Sequence, residues 1–112
     1  MAIPHDHDVQ FQLLTLLDGV PDGTTHCRDA YVGLRERFPQ LTCDEVDVPY
    51  RRSVSHWANR VQFARLHLVR RGFMLRSPSS GRGYWTISPA GRQYLKDSKR
   101  LAEELVRELE EM

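Results

Sequence analysis

Residues 55–72 read SHWANRVQFARLHLVRRG, a stretch without proline whose single glycine is its last residue. Apolar side chains recur in it at the i, i+4, i+7, i+11 spacing that places them on one face of an α-helix. These side chains are Trp57, Val61, Ala64 and Leu68. Ser55 is a suitable N-cap residue, and Gly72 is a suitable C-terminal stop. The stretch predicts a helix with one buried stripe. Phe63 and Leu66 lie on its far side, where they are either covered by another segment or exposed for binding.

Beyond this helix the hydrophobic pattern changes to that of β-structure. Residues 73–77, FMLRS, and 84–87, YWTI, contain the aromatic and β-branched side chains that strands favour. Between them, PSSGRG at 78–83 is composed of residues that favour turns. The three segments together predict a β-hairpin with Arg82 at a basic tip.

Two helices are predicted ahead of this region. The first covers about residues 8–18, and Gly19 is placed for a left-handed C-terminal cap. Thr24 or Thr25 is a suitable N-cap for the second helix. Its apolar face consists of Cys27, Ala30, Tyr31, Leu34 and Phe38. The letters TCDE at 42–45 match a capping box, which predicts a further short helix.

Ser88 followed by Pro89 suits the N-cap and first position of a last helix, which is expected to run to about Glu110. A chain of 112 residues has the length of a single domain. We expect a core of about residues 8–96 and a C-terminal helical extension of about 97–112. The order of elements is typical of an α+β fold that is mainly α, a winged helix-turn-helix with a two-stranded wing. In that fold the third helix enters the DNA major groove, and the wing contacts the backbone or the minor groove.

The formal net charge of +1 hides a strong segregation of charge along the chain. Residues 1–50 carry nine acids and three arginines, whereas residues 51–100 carry twelve Lys or Arg and one acid, Asp97. Residues 101–112 carry five glutamates and one arginine. Because the basic block coincides with the predicted third helix and wing, it predicts a positive face whose partner is a polyanion.

Three motifs in the basic half occur in a recognisable order. They are NRVQFAR at 59–65, LVRRGFM at 68–74 and GRGYWTISPAGR at 81–92. They resemble the N-R-V-x-W-A-R helix, the K-K-x-G-L-L helix end, the G-x-W/Y-x-I wing strand and the T-x-x-G-R exit helix of the N-terminal domain of Mrr-type restriction proteins. The resemblance covers about residues 8–96 and implies a winged-helix DNA-binding module, which in some restriction systems senses modified bases. Phe63 stands where that family prefers Trp, and the nuclease domain that usually follows this module is not part of the 112 residues.

The expected base readers lie off the buried stripe of the third helix, because Asn and Gln pair with adenine and Arg pairs with guanine. These candidates are Ser55, His56, Asn59 and Arg60, with Gln62 and Arg65 further along. Arg51 and Arg52 precede the helix and suit phosphate contacts. Arg82 suits a phosphate or a narrow minor groove. For each arginine the alternative is a solvated charge or a surface ion pair.

Enzymatic and metal-binding functions are not expected from this sequence. A restriction-type nuclease needs a lysine beside its acids, and the only lysines, Lys96 and Lys99, are far in sequence from the acidic first half. His5 and His7 fall at a frayed terminus, and Cys27 falls on an apolar helical face, so none is expected to bind a metal. No cofactor, small-molecule substrate or membrane is expected as a partner. Two cysteines without a visible secretory signal indicate a cytoplasmic protein.

Other interpretations stay open beside binding of double-stranded DNA. Trp57 and Trp85 are expected in the core rather than stacked on bases. A winged helix also serves as a protein docking domain, in which Phe63 and Leu66 would form the contact, and phosphate attraction alone does not distinguish RNA from DNA. The last helix either packs on its own domain or forms a homodimer contact. The residues at the 3-4 spacing of such a contact are Ala102, Leu105, Leu109 and Met112.

Overall fold

The computed structural model describes residues 4–39, 49–50, 54–76, 81 and 83–112. The helices in these ranges are α1 (Asp6–Asp18), α2 (Cys27–Arg37), α3 (His56–Arg70) and α4 (Pro89–Glu111). The strands are β1 (Thr24–His26), β2 (Pro49–Tyr50), β3 (Val54–Ser55) and β4 (Tyr84–Thr86). The predicted short helix at 42–45 and the residue predicted at the wing tip, Arg82, lie outside the described residues.

The core forms where α1 and α2 pack against α3. The predicted α3 stripe is confirmed, since Trp57 is 2% exposed and Val61, Ala64 and Leu68 are fully buried. Helices α1 and α2 contribute the other helical core residues, which are Val9, Leu13, Leu14, Leu17, Ala30 and Leu34. Phe38, which directly follows α2, belongs to the same core. Trp57 lies edge-on to Phe38 with ring centroids 5.7 Å apart. The expectation that Trp57 is a core residue is therefore correct.

The end of α1 differs from the prediction. Gly19 has φ −75° and ψ −10°, which is right-handed helical backbone and not the left-handed cap expected from its position. Its N–H donates to the carbonyl of Thr15, and the N–H of Val20 donates to the carbonyl of Leu17. A last right-handed turn thus satisfies the terminal carbonyls, so no left-handed residue is needed at this position.

The segment before α2 is a strand and not a helix cap. Thr24 pairs with Thr86 in an antiparallel ladder between β1 and β4, and their hydroxyl oxygens are 2.9 Å apart. The N-cap of α2 is His26, whose Nδ1 accepts a hydrogen bond from the N–H of Arg28 at 3.2 Å. The prediction of a threonine cap is wrong because the extended backbone of the threonines is used by a strand more than fifty residues away in sequence.

The wing has the expected antiparallel contact between the segment after α3 and the segment of β4, and β1 is added to it as a further strand. Of residues 73–77, Met74 forms an isolated bridge to Ile87, and the N–H of Leu75 donates to the carbonyl of Thr86 at 2.9 Å. The ladder of β4 is formed with β1, so β4 lies between β1 and the segment that follows α3. A second antiparallel pair, β2 with β3, directly precedes α3. Gly72 has φ +82°, a backbone that disfavours side chains, and it ends α3 as predicted.

Ser88 and Gly91 fix the start of α4 against the end of α3. The Ser88 hydroxyl donates to the carbonyl of Gly72 at 2.6 Å and accepts from the N–H of Gly91 at 3.1 Å, which confirms the predicted N-cap. Gly91 is buried, and a Cβ atom there would overlap the carbonyl oxygen of Phe73. Helix α4 therefore leaves the domain at an angle set by backbone contacts.

These elements form an α+β, mainly helical fold with a winged helix-turn-helix arrangement and a C-terminal helix, as the sequence predicted. The last part of α4, residues 101–111, is exposed along its whole length and continues beyond the core. Among the described residues, the helices include none with the length and apolar character required to cross a membrane.

Candidate nucleic-acid interface

Helix α3 presents a polar and basic surface opposite its buried stripe. Gln62 and Arg70 are exposed, and Asn59, Arg60 and Arg65 are partly exposed. No Asp or Glu occurs anywhere in His56–Arg70. The free side of α3 thus offers amide donors and acceptors and guanidinium groups with no acid of its own to neutralise them. This is the composition that base edges and phosphates require.

A groove of about 530 Å³ runs between α3, α2 and β4. Helix α3 contributes Asn59, Gln62, Phe63, Arg65 and Leu66; helix α2 contributes Cys27 and Tyr31; and β4 contributes Trp85. Three of the predicted base readers, Asn59, Gln62 and Arg65, are therefore brought together on one concave surface. The sequence did not show whether Phe63 and Leu66 are covered or exposed. They are 49% and 38% exposed and form the apolar part of the same groove.

Arg65 lies over the aromatic wall of this groove. Its guanidinium carbon is 5.5 Å from the centre of the Trp85 ring, a cation–π contact. The ring of Tyr31 lies 5.6 Å from that of Trp85 at an angle of 59°. Trp85 itself is 7% exposed, so its assignment to the core is confirmed. Arg65 packs on Trp85, which in turn packs on Tyr31, and this limits the conformations that Arg65 can adopt.

Gln62 is connected to the same wall through Tyr31. Burial raises the pKa of the Tyr31 hydroxyl above its ordinary value of 10.0, and a hydrogen bond with the Gln62 side chain partly offsets that effect. The Tyr31 hydroxyl is therefore protonated at neutral pH. Gln62 keeps an exposed position while one of its polar atoms is bonded to Tyr31, which orients the amide across the groove.

Arg60 lies on the opposite flank of α3. At about 100° per residue it is within about 20° of His67 and about 140° from Arg65 around the helix. His67 faces α1, where its Nδ1 is 2.8 Å from Oδ2 of Asp6. The same carboxylate accepts from the Gln10 side-chain amide. The predicted arginines of α3 thus border its free surface on two sides and do not form one cluster.

Other cations of the basic block are used within the fold. Arg71 donates to Oε1 of Gln10 at 2.7 Å and lies over the rings of Phe73 and Tyr94, at 4.7 and 5.1 Å from their centres. Arg92 forms a 2.6 Å ion pair with Asp18 of α1. The block is therefore divided between arginines that connect elements of the domain and arginines on the α3 surface.

The remaining predicted site residues are placed only in part. Arg51, Arg52 and Arg82 lie outside the described residues. Ser55 ends β3 and His56 begins α3, which puts both at the N-terminal end of the candidate recognition helix. Their backbone position agrees with the predicted location, at the helix end that enters a major groove in this class of fold.

The α2 and β4 side of the groove was not anticipated as part of the site. Trp85 was assigned to the core, and Cys27 and Tyr31 were assigned to an apolar helical face. They reach the groove because β1 pairs with β4, a contact between distant segments that no local pattern indicates. The described ranges hold no group of three or more His, Cys, Asp or Glu side chains arranged to bind a metal ion.

Comparison with protein families finds one match, to the Mrr N-terminal domain, over residues 10–97. This range contains most of α1, all of α2 and α3, both strand pairs and the start of α4. Comparisons with curated proteins and with solved structures give no match.

Proposed function

The chain belongs to the Mrr N-terminal domain family, and from this premise we propose that it binds double-stranded DNA through α3 and the wing. The observation that carries the proposal is the free surface of α3. It has two exposed or partly exposed amides and flanking arginines, and the helix contains no acidic residue. Direct readout in the major groove uses these side-chain types, and phosphate contacts add the sequence-independent part of the affinity.

In this proposal the predicted residues divide by their position. Asn59 and Gln62 face base edges from the groove surface, with Arg65 beside them and Ser55 and His56 at the leading end of the helix. Phosphate contacts come from the flanking arginines, which are Arg51, Arg52, Arg60 and Arg82. The bond between Gln62 and Tyr31 supports a reading role, because an oriented amide loses less conformational freedom on binding.

The biological role that fits is regulation or DNA specificity in a restriction-type system, in which this domain senses DNA sequence or base modification. Family membership makes the chain a restriction-associated module. We assign it no catalytic activity and no cofactor of its own. We propose that it acts in the cytoplasm, where a restriction-type system would meet its DNA.

Fluorescence anisotropy with labelled duplex DNA, unmodified and cytosine-methylated, tests the proposal. Because each neutralised phosphate releases counterions, affinity should fall about tenfold or more between about 50 mM and about 200 mM salt. A preference for the methylated duplex would support a modification-sensing role. Absence of binding to both duplexes at the lower salt would refute DNA binding.

Matched charge reversals show whether α3 is the contact surface. Arg60→Glu should lower the affinity about tenfold or more, since it removes a phosphate contact and adds a repulsive charge beside the DNA. Arg37→Glu at the end of α2 makes the same change of charge and should leave binding within about twofold, because Arg37 hydrogen-bonds Gln12 of α1 and is not on the α3 surface. Equal effects of the two variants would mean that net charge, and not α3, governs binding.

The second candidate function is docking to a protein, and the exposure of Phe63 and Leu66 favours it. Two large apolar side chains that remain 49% and 38% exposed on one groove are typical of an interaction site. The double variant Phe63→Ser with Leu66→Ser should abolish an apolar interface. If the chain binds no DNA and the double variant loses a protein partner that the wild type retains, docking is the function.

A further inference from the structure

The end of α4 carries an apolar surface that its own domain does not cover. Every residue from 101 to 111 is exposed. The large apolar side chains among them include Leu101 at 56%, Leu105 at 60%, Val106 at 53% and Leu109 at 69% exposure. Soluble monomeric proteins seldom leave a row of large apolar side chains exposed to water, so this part of α4 is an interaction surface.

Apolar and small residues form one continuous stripe along the helix. We call it the α4 stripe, and at the 3-4 spacing of a two-helix contact it consists of Leu95, Ser98, Ala102, Leu105, Leu109 and Met112. Its first member, Leu95, packs against the domain core. The stripe thus begins at the domain and continues along the exposed part of the helix. Leu101 and Val106 lie on its two edges.

The charges along α4 are of opposite sign in the two halves of the helix, and Lys99 and Glu108, each about 90° from the centre of the stripe, are the ones that flank it. Between residues 96 and 100 there are three cations and one acid, Asp97, whereas residues 103–111 contain five glutamates and Arg107. The last turn contains no basic residue, and the first turn contains no acidic one. This distribution opposes the helix dipole, which favours acids at the N-terminus and cations at the C-terminus. The interaction of these charges with the helix dipole therefore destabilises the isolated helix.

A second copy running in the opposite direction turns this pattern into an attraction. Antiparallel pairing places the acidic end of each helix beside the basic part of the other, and it also sets the two helix dipoles head to tail. Parallel pairing would place the glutamate-rich ends side by side, where they repel. Alignment about a centre between Glu103 and Glu104 brings Leu105 against the partner's Ala102 and Leu109 against the partner's Ser98, so large side chains face small ones.

We propose that two copies of this chain pair antiparallel through the α4 stripe. At about 1.5 Å rise per residue, the two Met112 residues would lie about 26 Å apart along the helix axes, near opposite ends of the contact. Each winged-helix domain would then sit at its own end of a two-helix rod. The pairing does not depend on DNA binding, so either can fail without the other.

Sedimentation equilibrium of the 112-residue chain tests the pairing. The wild type should sediment as a dimer, and Leu105→Glu should sediment as a monomer because it puts a charge in the middle of the stripe. Val32→Glu is the matched control, since Val32 on α2 is exposed to the same 60% as Leu105 but lies off the stripe. This variant should remain a dimer. A monomeric wild type, or a dimeric Leu105→Glu variant, would overturn the proposal.

Charge reversals test the direction of the pairing. The triple variant Lys96→Glu, Lys99→Glu, Arg100→Glu should raise the dissociation constant about tenfold, because acidic surfaces then face each other in the antiparallel arrangement. Adding Glu108→Lys, Glu110→Lys and Glu111→Lys to it should restore the wild-type constant. The wild-type dimer should also weaken between about 50 mM and about 500 mM salt. A parallel dimer would be strengthened by salt and little changed by the triple variant, and either result would refute the antiparallel assignment.

Discussion

Gly91 provides a sharp test of how the wing, α3 and α4 are fixed together. Two effects of Gly91→Ala oppose each other. Alanine in a helix is favoured over glycine by about 1 kcal/mol. Against this, the new Cβ would overlap the carbonyl oxygen of Phe73 and lie 2.8 Å from Cγ1 of Ile87. The carbonyl belongs to the backbone that also accepts the N–H of Ser88 at 3.0 Å, so it cannot move away without breaking that bond.

The steric term should exceed the propensity term. Overpacking by one methyl group costs about 1–3 kcal/mol, and the upper part of that range applies where the neighbour is hydrogen-bonded backbone. Position 91 is also in the first turn of α4, where the helix gains least from alanine. We therefore expect Gly91→Ala to lower the free energy of unfolding by about 1–2 kcal/mol.

Urea denaturation followed by circular dichroism measures this difference. Gly19→Ala is the matched control: Gly19 has φ −75°, and a Cβ there would meet the nearest atoms at 3.5 and 3.6 Å, which is ordinary contact. The control should be neutral or slightly stabilising, by about 0.5 kcal/mol. If Gly91→Ala is as stable as the wild type, the close approach of α4 to the segment after α3 is refuted, and with it the fixed angle at which α4 leaves the domain.

Three further changes test the core, the cap and the groove. Ser88→Ala removes both the cap of α4 and the bond to the Gly72 carbonyl and should lower the free energy of unfolding by about 1–2 kcal/mol in urea denaturation; a loss below about 0.5 kcal/mol would contradict that network. Leu68→Ala deletes a fully buried side chain and should cost about 2–5 kcal/mol in the same assay, whereas a cost below about 1 kcal/mol would show a poorly packed site. Burial raises the pKa of Tyr31, so the stability that it contributes is complete below pH about 10 and is lost as the pH rises through the folded-state value. Tyr31→Phe should remove this loss in thermal melts above pH about 10, and identical pH profiles for both proteins would refute the burial of the hydroxyl.

The sequence predicted those elements whose signals are local. The α3 stripe and its glycine stop follow from helical spacing within one segment, and the Ser88 cap follows from two adjacent residues. The error at Thr24 has the opposite origin. Threonine suits both an N-cap and a strand, and the choice is made by β4, which lies about sixty residues further along. A local pattern contains no information about that pairing.

The same distinction explains how much of the candidate site could be predicted. Helical spacing correctly placed Asn59 and Gln62 off the buried stripe of α3. It did not indicate that Arg65 would lie on Trp85, since that contact depends on the register in which β4 pairs with β1. Closeness in sequence placed Arg60 among the expected base readers. Its position around the helix puts it on the flank that faces α1.

The division of the basic block shows why charge alone does not locate an interface. Arg71 and Arg92 contribute to the same excess of positive charge as the α3 arginines, yet both are bound to partners on α1. Since residues 51–100 hold a single acid, such pairs must recruit acceptors from the acidic first half, and Asp18 and Gln10 supply them. These pairs therefore stabilise the fold, because they connect the basic half of the chain to the acidic half. Among the described residues, α3, which has no acid of its own, is the helix that we propose contacts DNA.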